Sequence, residues 1–425
     1  MNQHDRHTSA SWIRRFDWVS IFLWVLLSLI GLTAIYSATL GPVSEFLPLH
    51  IQQNFSKQLN WAALSVLAVI FIQFISPRAF QQLAYVAYGL LLILITATIF
   101  IGVEVNAAKS WIEIAGVRLQ PVEPMKLATI LTVAAYLTSR RDISAVRVQS
   151  ALIATLIILV PVIIIILQND TGSALIFLPL IPVMLFLSGL PHGISLLMIS
   201  PAIVGYLSII DWRLGVASVV ILAFVVYMLE KKIWLSVNTI IFGALMVLAV
   251  DIALHDVLQP HQQLRIEAFI NPFVDPQGAG WNVIQSKTAI SSGGIWGKGF
   301  LEGTQTQLRF LPEQWTDFIF CVVAEEFGLI GAGSVILIML LLFLRLLNLS
   351  IALKDRFSQL VIVGVVTILF SHALINLGSA MGIIPVIGVP LPFMSYGGSA
   401  FLFNSIMIAI CLNLYLRQKD MSHFS

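Results

Sequence analysis

Four ionisable residues occupy places in this chain where lipid makes charge expensive. Glu123, Lys126 and Asp170 sit inside or at the rim of hydrocarbon-length apolar segments, and Asp317 opens a later one in Leu311-Pro312-Glu313-Gln314-Trp315-Thr316-Asp317-Phe318. Such residues are functional candidates by default. A carboxylate at the water-membrane rim can serve as a general base, provided a proton donor comes within hydrogen-bond reach. The alternative for Asp317 is a helix N-cap, worth about 1 kcal/mol. Helix-terminal donors would favour its charged form, whereas partial desolvation would raise its affinity for a proton. Hard oxygen ligands also suit magnesium or manganese, so a metal-ligand role for Asp317 stays open. Glu123 and Lys126 are three residues apart and share a face if 121–138 is helical. Asp170 starts a span on the same side of the membrane. These three residues either line a polar cavity or form a structural network in which Lys126 pairs with Asp170 across the bundle.

The elements that must position them follow from composition. The chain is 58% hydrophobic and only 10% charged, with a mean hydropathy of +0.94, as expected of an all-α polytopic membrane protein. Apolar runs near the roughly 20 residues that cross a bilayer predict twelve spans, at about 18–38, 58–76, 80–102, 121–138, 150–168, 171–190, 193–210, 214–230, 233–257, 317–347, 358–381 and 397–416. Residues 1–16 form a polar, basic tail without a cleavage site after the first apolar run, which is therefore read as a retained span. An even number of spans puts both termini on one side. With that side cytoplasmic, 14 of the 23 Lys and Arg are cytoplasmic, in keeping with the positive-inside rule. The net charge of +2 says little about partners, and no nucleic-acid partner is expected. Cys321 and Cys411 both lie in apolar runs and are expected to be buried in helices.

The stretch 258–316 is a large extracytoplasmic loop. Seven glycines between Gln277 and Gly303 are interleaved with Trp281, Trp296 and Phe300, a mixture foreign to a flexible linker. Arg265, Lys287 and Lys298 are its candidate anion-binding cations, Lys298 equally readable as a solvated charge. Glu325 and Glu326 fall two turns into the span that Asp317 opens, where a hydrogen bond between helices is expected. Pro385, Pro390 and Pro392 with Gly388, Gly397 and Gly398 interrupt the approach to the last span, which predicts a re-entrant floor to the cavity. His372 and Asn376, one turn apart, are expected to make interhelical hydrogen bonds.

Several motifs resemble the SEDS family of cell-wall polymerases. They are Gln120-Pro121-Val122-Glu123-Pro124-Met125-Lys126, Gln168-Asn169-Asp170-Thr171-Gly172, Ile284-Gln285-Ser286-Lys287, Ser292-Gly293-Gly294, Gly297-Lys298-Gly299, Gly303-Thr304-Gln305, Leu311 to Phe320, and Pro385 to Phe393 followed by Ser395-Tyr396-Gly397-Gly398-Ser399. They run in the family's order over nearly the whole chain, and Gly303-Thr304-Gln305 with Val389-Pro390-Leu391-Pro392 resembles the elongation branch more than the division branch. The family commonly has ten spans, so the resemblance implies a two-helix insertion within 193–257. The family's usual Arg before the third-loop Trp is Ser110 here.

The resemblance implies peptidoglycan glycosyltransfer, in which lipid II is polymerised at the outer face of the cytoplasmic membrane and undecaprenyl pyrophosphate is released during elongation and rod-shape maintenance. It implies Asp317 as catalytic base and Glu123, Lys126, Asp170, Arg265, Lys287, Gln285 and Ser292 as substrate-binding or cavity residues. It further implies a divalent cation such as Mg or Mn, a class B penicillin-binding protein transpeptidase as partner, and other membrane proteins of the elongation complex. A lipid-linked precursor flippase or transporter is the rival class. Against it, no internal repeat relates the two halves, and the polar residues concentrate in one external loop.

Overall fold

Backbone in lipid must satisfy its own hydrogen bonds, and a run of apolar segments without β alternation does so as helices. In the computed structural model, residues 16–41, 48–105, 108–114, 116–139, 148–257, 260–278 and 280–418 are described; the tail assigned to 1–16 lies almost wholly outside them. The helices are α1 (Trp18–Leu40), α2 (Leu49–Gln52), α3 (Asn54–Ile72), α4 (Pro77–Ile101), α5 (Val122–Ser139), α6 (Val148–Leu167), α7 (Thr171–Phe177), α8 (Leu180–Leu187), α9 (His192–Ile210), α10 (Trp212–Glu230) and α11 (Ile233–Ile252). They continue with α12 (Pro260–Ile270), α13 (Trp281–Ser292), α14 (Thr304–Leu308), α15 (Ile319–Ala352), α16 (Arg356–Ala380) and α17 (Gly398–Leu416).

Among the described residues, ten helices are long and apolar enough to cross a membrane. Each of the twelve expected spans has a helical counterpart, but two fall short of that standard. One is α5, 18 residues that carry Glu123 and Lys126. The other is Thr171–Leu187, a shorter apolar stretch divided into α7 and α8. Strands β1 (Val103–Val105), β2 (Ala108–Ile114) and β3 (Val117–Leu119) form a small antiparallel meander between α4 and α5, which hydropathy does not register.

The interior is built on α5, α16 and α17. Most of α5 is buried on every side, and α16 and α17 are 72% and 78% buried over their most apolar windows, whereas the outer helices turn broad apolar faces outward, as lipid-facing helices do. Packing runs α4 on α5, α5 on α16, α3 on α17 and α1 on α15. Polar caps fix the helix starts: Asp17 accepts from Ser20 N at 3.3 Å and also pairs with Arg345 at 2.6 Å, and Asp355 accepts from Ser358 N at 2.8 Å. Helices α9 to α11 pack chiefly on one another around Val204, Val219 and Leu222, a core of their own in the stretch where the insertion is expected. Cys321 and Cys411 are buried and free.

At about 1.5 Å per residue, the 34 residues of α15 would make a helix far longer than the roughly 30 Å hydrocarbon layer. Gly328 interrupts it with φ 65° and ψ −161°, a conformation open essentially to glycine alone. The 293–299 loop occupies the break. Lys298 N and Gly299 N donate to the carbonyls of Glu325 and Glu326 at 3.0 and 3.1 Å, while Leu329 N and Ile330 N donate to Gly294 O and Ile295 O at 2.9 and 3.3 Å. Loop and helix thereby satisfy one another's backbone, which leaves 329–352 as the membrane-crossing part.

Candidate active site

The segment before α15 is a set of turns spanning 312–318, with Asp317 N bonded to Glu313 O at 3.1 Å. The N-cap of α15 is Phe318, and it makes no side-chain cap bond. The N-cap alternative for Asp317 therefore fails: its carboxylate does not cap the long helix. What holds it is backbone tethering. Asn376 Nδ2 donates to Asp317 O at 2.9 Å and to Val389 O at 2.8 Å. Ser395 Oγ donates to Thr316 O at 2.5 Å and accepts from Leu391 N at 2.8 Å, and Tyr396 N donates to Trp315 O at 2.8 Å. The 312–318 turns and the 385–397 segment are thus laced together, and the latter is the expected floor.

Gly388, at φ 81°, faces the Asp317 carboxylate: a Cβ there would lie 3.6 Å from Oδ2. Burial pushes the Asp317 carboxyl up to about 6 from 3.8. Repulsion from Glu313 adds to the rise, and a hydrogen bond with Thr316 opposes it. Desolvation outweighs hydrogen bonding at this residue, whose carboxylate does not cap the helix.

Asp170 stands at the start of a helix that packs on the same floor. It caps α7, accepting from Ser173 N at 3.0 Å, and takes Gln120 Nε2 at 2.9 Å. Two residues on, Gly172 lets α7 close on Ile387 and Val389, where a Cβ would meet Ile387 O at 3.1 Å. The Lys126–Asp170 pair, one of the two alternatives for these residues, does not form. Lys126 Nζ lies 2.7 Å from Glu123 Oε2 and 2.8 Å from His372 Nε2, all inside the protein. Charge is neutralised within one turn of α5, which needs no partner across the bundle and leaves Asp170 to cap and to bind Gln120. His372 makes the interhelical contact expected of it, and its Nδ1 reaches Pro390 O at 3.3 Å.

Lys287, on the exposed face of α13, folds over Gly382, whose hydrogen stands where a Cβ would lie 2.9 Å from Nζ. This brings Lys287 to the beginning of the floor. Gln285 is half-buried on the same helix. Arg265 is on α12, and its side chain lies outside the described residues. Ser292 belongs to a second cluster: its hydroxyl is 3.4 Å from Glu325 Oε1.

Glu325 is the hub of that second cluster, and the bond between helices expected of it is made to the start of α14, with Lys298 of the preceding loop joining it. It accepts from Lys298 Nζ, Gln305 N and Thr306 N, each at 2.8 Å, and from Thr306 Oγ1 at 2.7 Å. Lys298 is accordingly an ion-pair partner and not a solvated charge. Glu326 accepts from the Ser37 hydroxyl on α1 and from Gln307 Nε2 at 3.4 Å. Neither carboxylate lies deep in a continuous span, because Gly328 ends that helical stretch just after them.

Two tethering residues carry signals that the residue pattern offered without revealing their use. Ser395 sits within a motif already singled out. Gln58 is a buried amide on α3, whose Oε1 accepts from Gly397 N at 3.2 Å; a polar side chain in an apolar helix is the available sign. On the other flank of the floor, Arg118 of β3 is close enough to Tyr396 to oppose the rise that burial imposes on its hydroxyl.

Comparison with known proteins identifies the family of the chain. The family model FTSW_RODA_SPOVE, described as "Cell cycle protein", matches residues 17–215 and 203–420. The chain is 31% identical over 437 residues to peptidoglycan glycosyltransferase RodA of Treponema pallidum, with 95% of this chain and 98% of the relative covered. It is 33% identical over 367 residues to peptidoglycan glycosyltransferase MrdB of Escherichia coli K12, with 86% of each covered. Among solved structures, a chain described under "Structural coordination of polymerization and crosslinking by a peptidoglycan synthase complex" superposes with a TM-score of 0.71 at 25% identity, covering 95% of this chain and 98% of that one. The fold is also that of the rod shape determining protein RodA of Thermus thermophilus, with a TM-score of 0.61 at 23% identity, covering 94% of this chain and 96% of that one. With a family model matched along nearly its whole described length and such relatives covered almost end to end, the chain belongs to the FtsW, RodA and SpoVE family, the SEDS family of membrane proteins.

Proposed function

We propose that this protein is a peptidoglycan glycosyltransferase that polymerises lipid II into glycan strands at the outer face of the cytoplasmic membrane, in cell elongation and rod-shape maintenance. The observation that carries the reading is Asp317. It is a carboxylate outside the spans, raised to about 6 by burial and tethered through its backbone to Asn376. Near neutral pH such a group is ionised but more basic than an ordinary aspartate, as a general base requires. Asp317 takes the proton of the attacking sugar hydroxyl as its oxygen bonds to the anomeric carbon of the second lipid II, and undecaprenyl pyrophosphate leaves with the electrons of the broken bond. Pyrophosphate needs no general acid, only charge stabilisation. Lys287 at the start of the floor supplies it, and Arg265 is assigned to the same task. Asp170 and the Glu123–Lys126 pair shape the far side of the floor.

A divalent ion, Mg or Mn, is part of this reading. Among the described residues no cluster of three or more His, Cys, Asp or Glu could hold one. Magnesium, however, is commonly held by one or two carboxylates together with substrate phosphates and water, and Asp317 with Glu313 nearby fits that pattern. When bound, the ion would neutralise charge on the leaving pyrophosphate.

The partner assigned is a class B penicillin-binding protein transpeptidase, which crosslinks the new strand, with other elongation-complex membrane proteins beside it. A structural relative described in a complex that coordinates polymerization and crosslinking supports this. Both described ends lie at the pole of the bundle opposite Asp317, with Arg78, Lys231, Lys232, Arg345, Arg356 and Arg417, which supports cytoplasmic termini.

The test is a lipid II polymerisation assay on the protein with its penicillin-binding partner, wild type against Asp317→Asn, read as glycan length on a gel. Ladders from the wild type that vanish in the variant are expected. No ladders from either protein, together with lipid II movement across vesicle bilayers, would replace this reading with a flippase.

A further inference from the structure

Lys126 is a buried cation with two partners, and only one of them is the carboxylate that neutralises it. The other is His372 Nε2 at 2.8 Å. An ammonium offers donors only, so the imidazole nitrogen facing it must accept. The ring proton is then on Nδ1, which lies 3.3 Å from the carbonyl of Pro390, a group that only accepts. Both contacts select one neutral tautomer with Nδ1 protonated, and an imidazolium would set an N–H against the ammonium. His372 is 1% exposed, so neither contact can be exchanged for bulk water.

The two ends of this bridge belong to different parts of the site. Lys126 is held by Glu123 on α5. Pro390 follows Val389, whose carbonyl shares Asn376 Nδ2 with the carbonyl of Asp317, and Gly388 faces the Asp317 carboxylate. His372 and Asn376 stand one turn apart on α16, so one helix face grips the floor at two consecutive carbonyls. Through Asn376 it holds Asp317, and through His372 it holds the Glu123–Lys126 pair.

We propose that His372 is a positioning residue, a neutral imidazole protonated on Nδ1 that ties Lys126 to the Pro390 carbonyl and so keeps the Glu123–Lys126 pair and the floor beneath Asp317 in one register. The catalytic part of this proposal rests on the glycosyltransferase reading; the tautomer and the tie do not.

Two measurements test it on the full-length protein. The first is the polymerisation assay with kcat and KM for lipid II, alongside melting temperature. Glutamine can accept from Lys126 and donate to Pro390, so His372→Gln is expected to stay within roughly 5-fold of wild-type kcat. Leucine fills the space and can do neither, and His372→Leu is expected to lose kcat on the order of 100-fold with KM nearly unchanged, since small misplacements of reacting groups carry penalties of that order. Wild-type kcat in His372→Leu overturns the proposal, as does equal loss in both variants or a loss of kcat that simply follows melting temperature.

The second is the nitrogen-15 spectrum of histidine-labelled protein at neutral pH, with the His372 signals identified by their absence from His372→Gln. A neutral Nδ1–H tautomer that changes on Lys126→Met is expected. An Nε2–H tautomer or an imidazolium overturns the proposal. Because this readout needs no turnover, a wild-type protein that makes no polymer defeats the glycosyltransferase reading while His372 is still judged.

Discussion

Replacing Asp317 by Asn should abolish polymerisation while making the protein harder to unfold at neutral pH. The carboxyl is raised from 3.8 to about 6, which at about 1.36 kcal/mol per pH unit corresponds to about 3 kcal/mol against the charged form. Asp317 is only half-buried and solvent screens part of this, so a realistic gain for the neutral amide is on the order of 1–2 kcal/mol. The sign follows from proton counting. Between 3.8 and about 6 the folded protein holds more protons than the unfolded chain, so wild-type stability falls as pH rises through that interval. The variant lacks this dependence. Its advantage should be absent near pH 4, grow up to about pH 6 and stay constant above. Melting of both proteins in the same detergent across pH 4 to 8 measures it. Asp317→Asn melting below wild type at pH 7.5 would refute the reasoning, because it would mean that the charged carboxylate stabilises the fold.

Other consequences can be measured with the same preparations. Wild-type polymerisation should decline as pH falls through about 6 because the base takes up a proton, and Glu313→Gln should move that limb to lower pH by removing the repulsion that raises Asp317; an unmoved limb would separate Asp317 from the titration. Glu325→Gln should lower stability by about 1–3 kcal/mol, since it removes the charge that pairs with the partly exposed Lys298 and puts an amide donor in place of one of the two oxygens that accept backbone amides. Undiminished melting would sink that account. Glu123→Gln and Lys126→Met should each destabilise by roughly 3–5 kcal/mol, and the double variant by clearly less than their sum, because each single change strands a buried charge; strict additivity would show that the pair is not a unit.

The membrane-crossing helices were legible because lipid restricts the backbone to few solutions, and apolar length alone marks them. The Asp317 region was legible for another reason: proline, glycine and carboxylate occur together where a plain span would carry neither. The partner of Lys126 was not. Spacing put Glu123 on the right face, but choosing between a local carboxylate and Asp170 across the bundle depends on Gln120 and Ser173 satisfying Asp170 first. The helix break was hidden as well. Gly328 is followed by Gly331 and Gly333 on the same helix, and what distinguishes it is a loop some thirty residues upstream whose amides reach the freed carbonyls. Span-by-span hydropathy cannot see a hydrogen bond made between a loop and a helix.

That shared backbone has a consequence for exchanging parts among relatives. The 293–299 loop and the 325–330 stretch complete each other through four main-chain hydrogen bonds, and Gly297 and Gly328 approach so closely that a Cβ on either would strike the other's neighbourhood at 2.1 to 2.4 Å. The two stretches are therefore one module in two pieces. A chimera that takes the external loop from one relative and the following helix from another will fail at this seam unless both pieces come from the same parent, whereas cuts in the outer helices α9 to α11, with their separate core, cross no such seam.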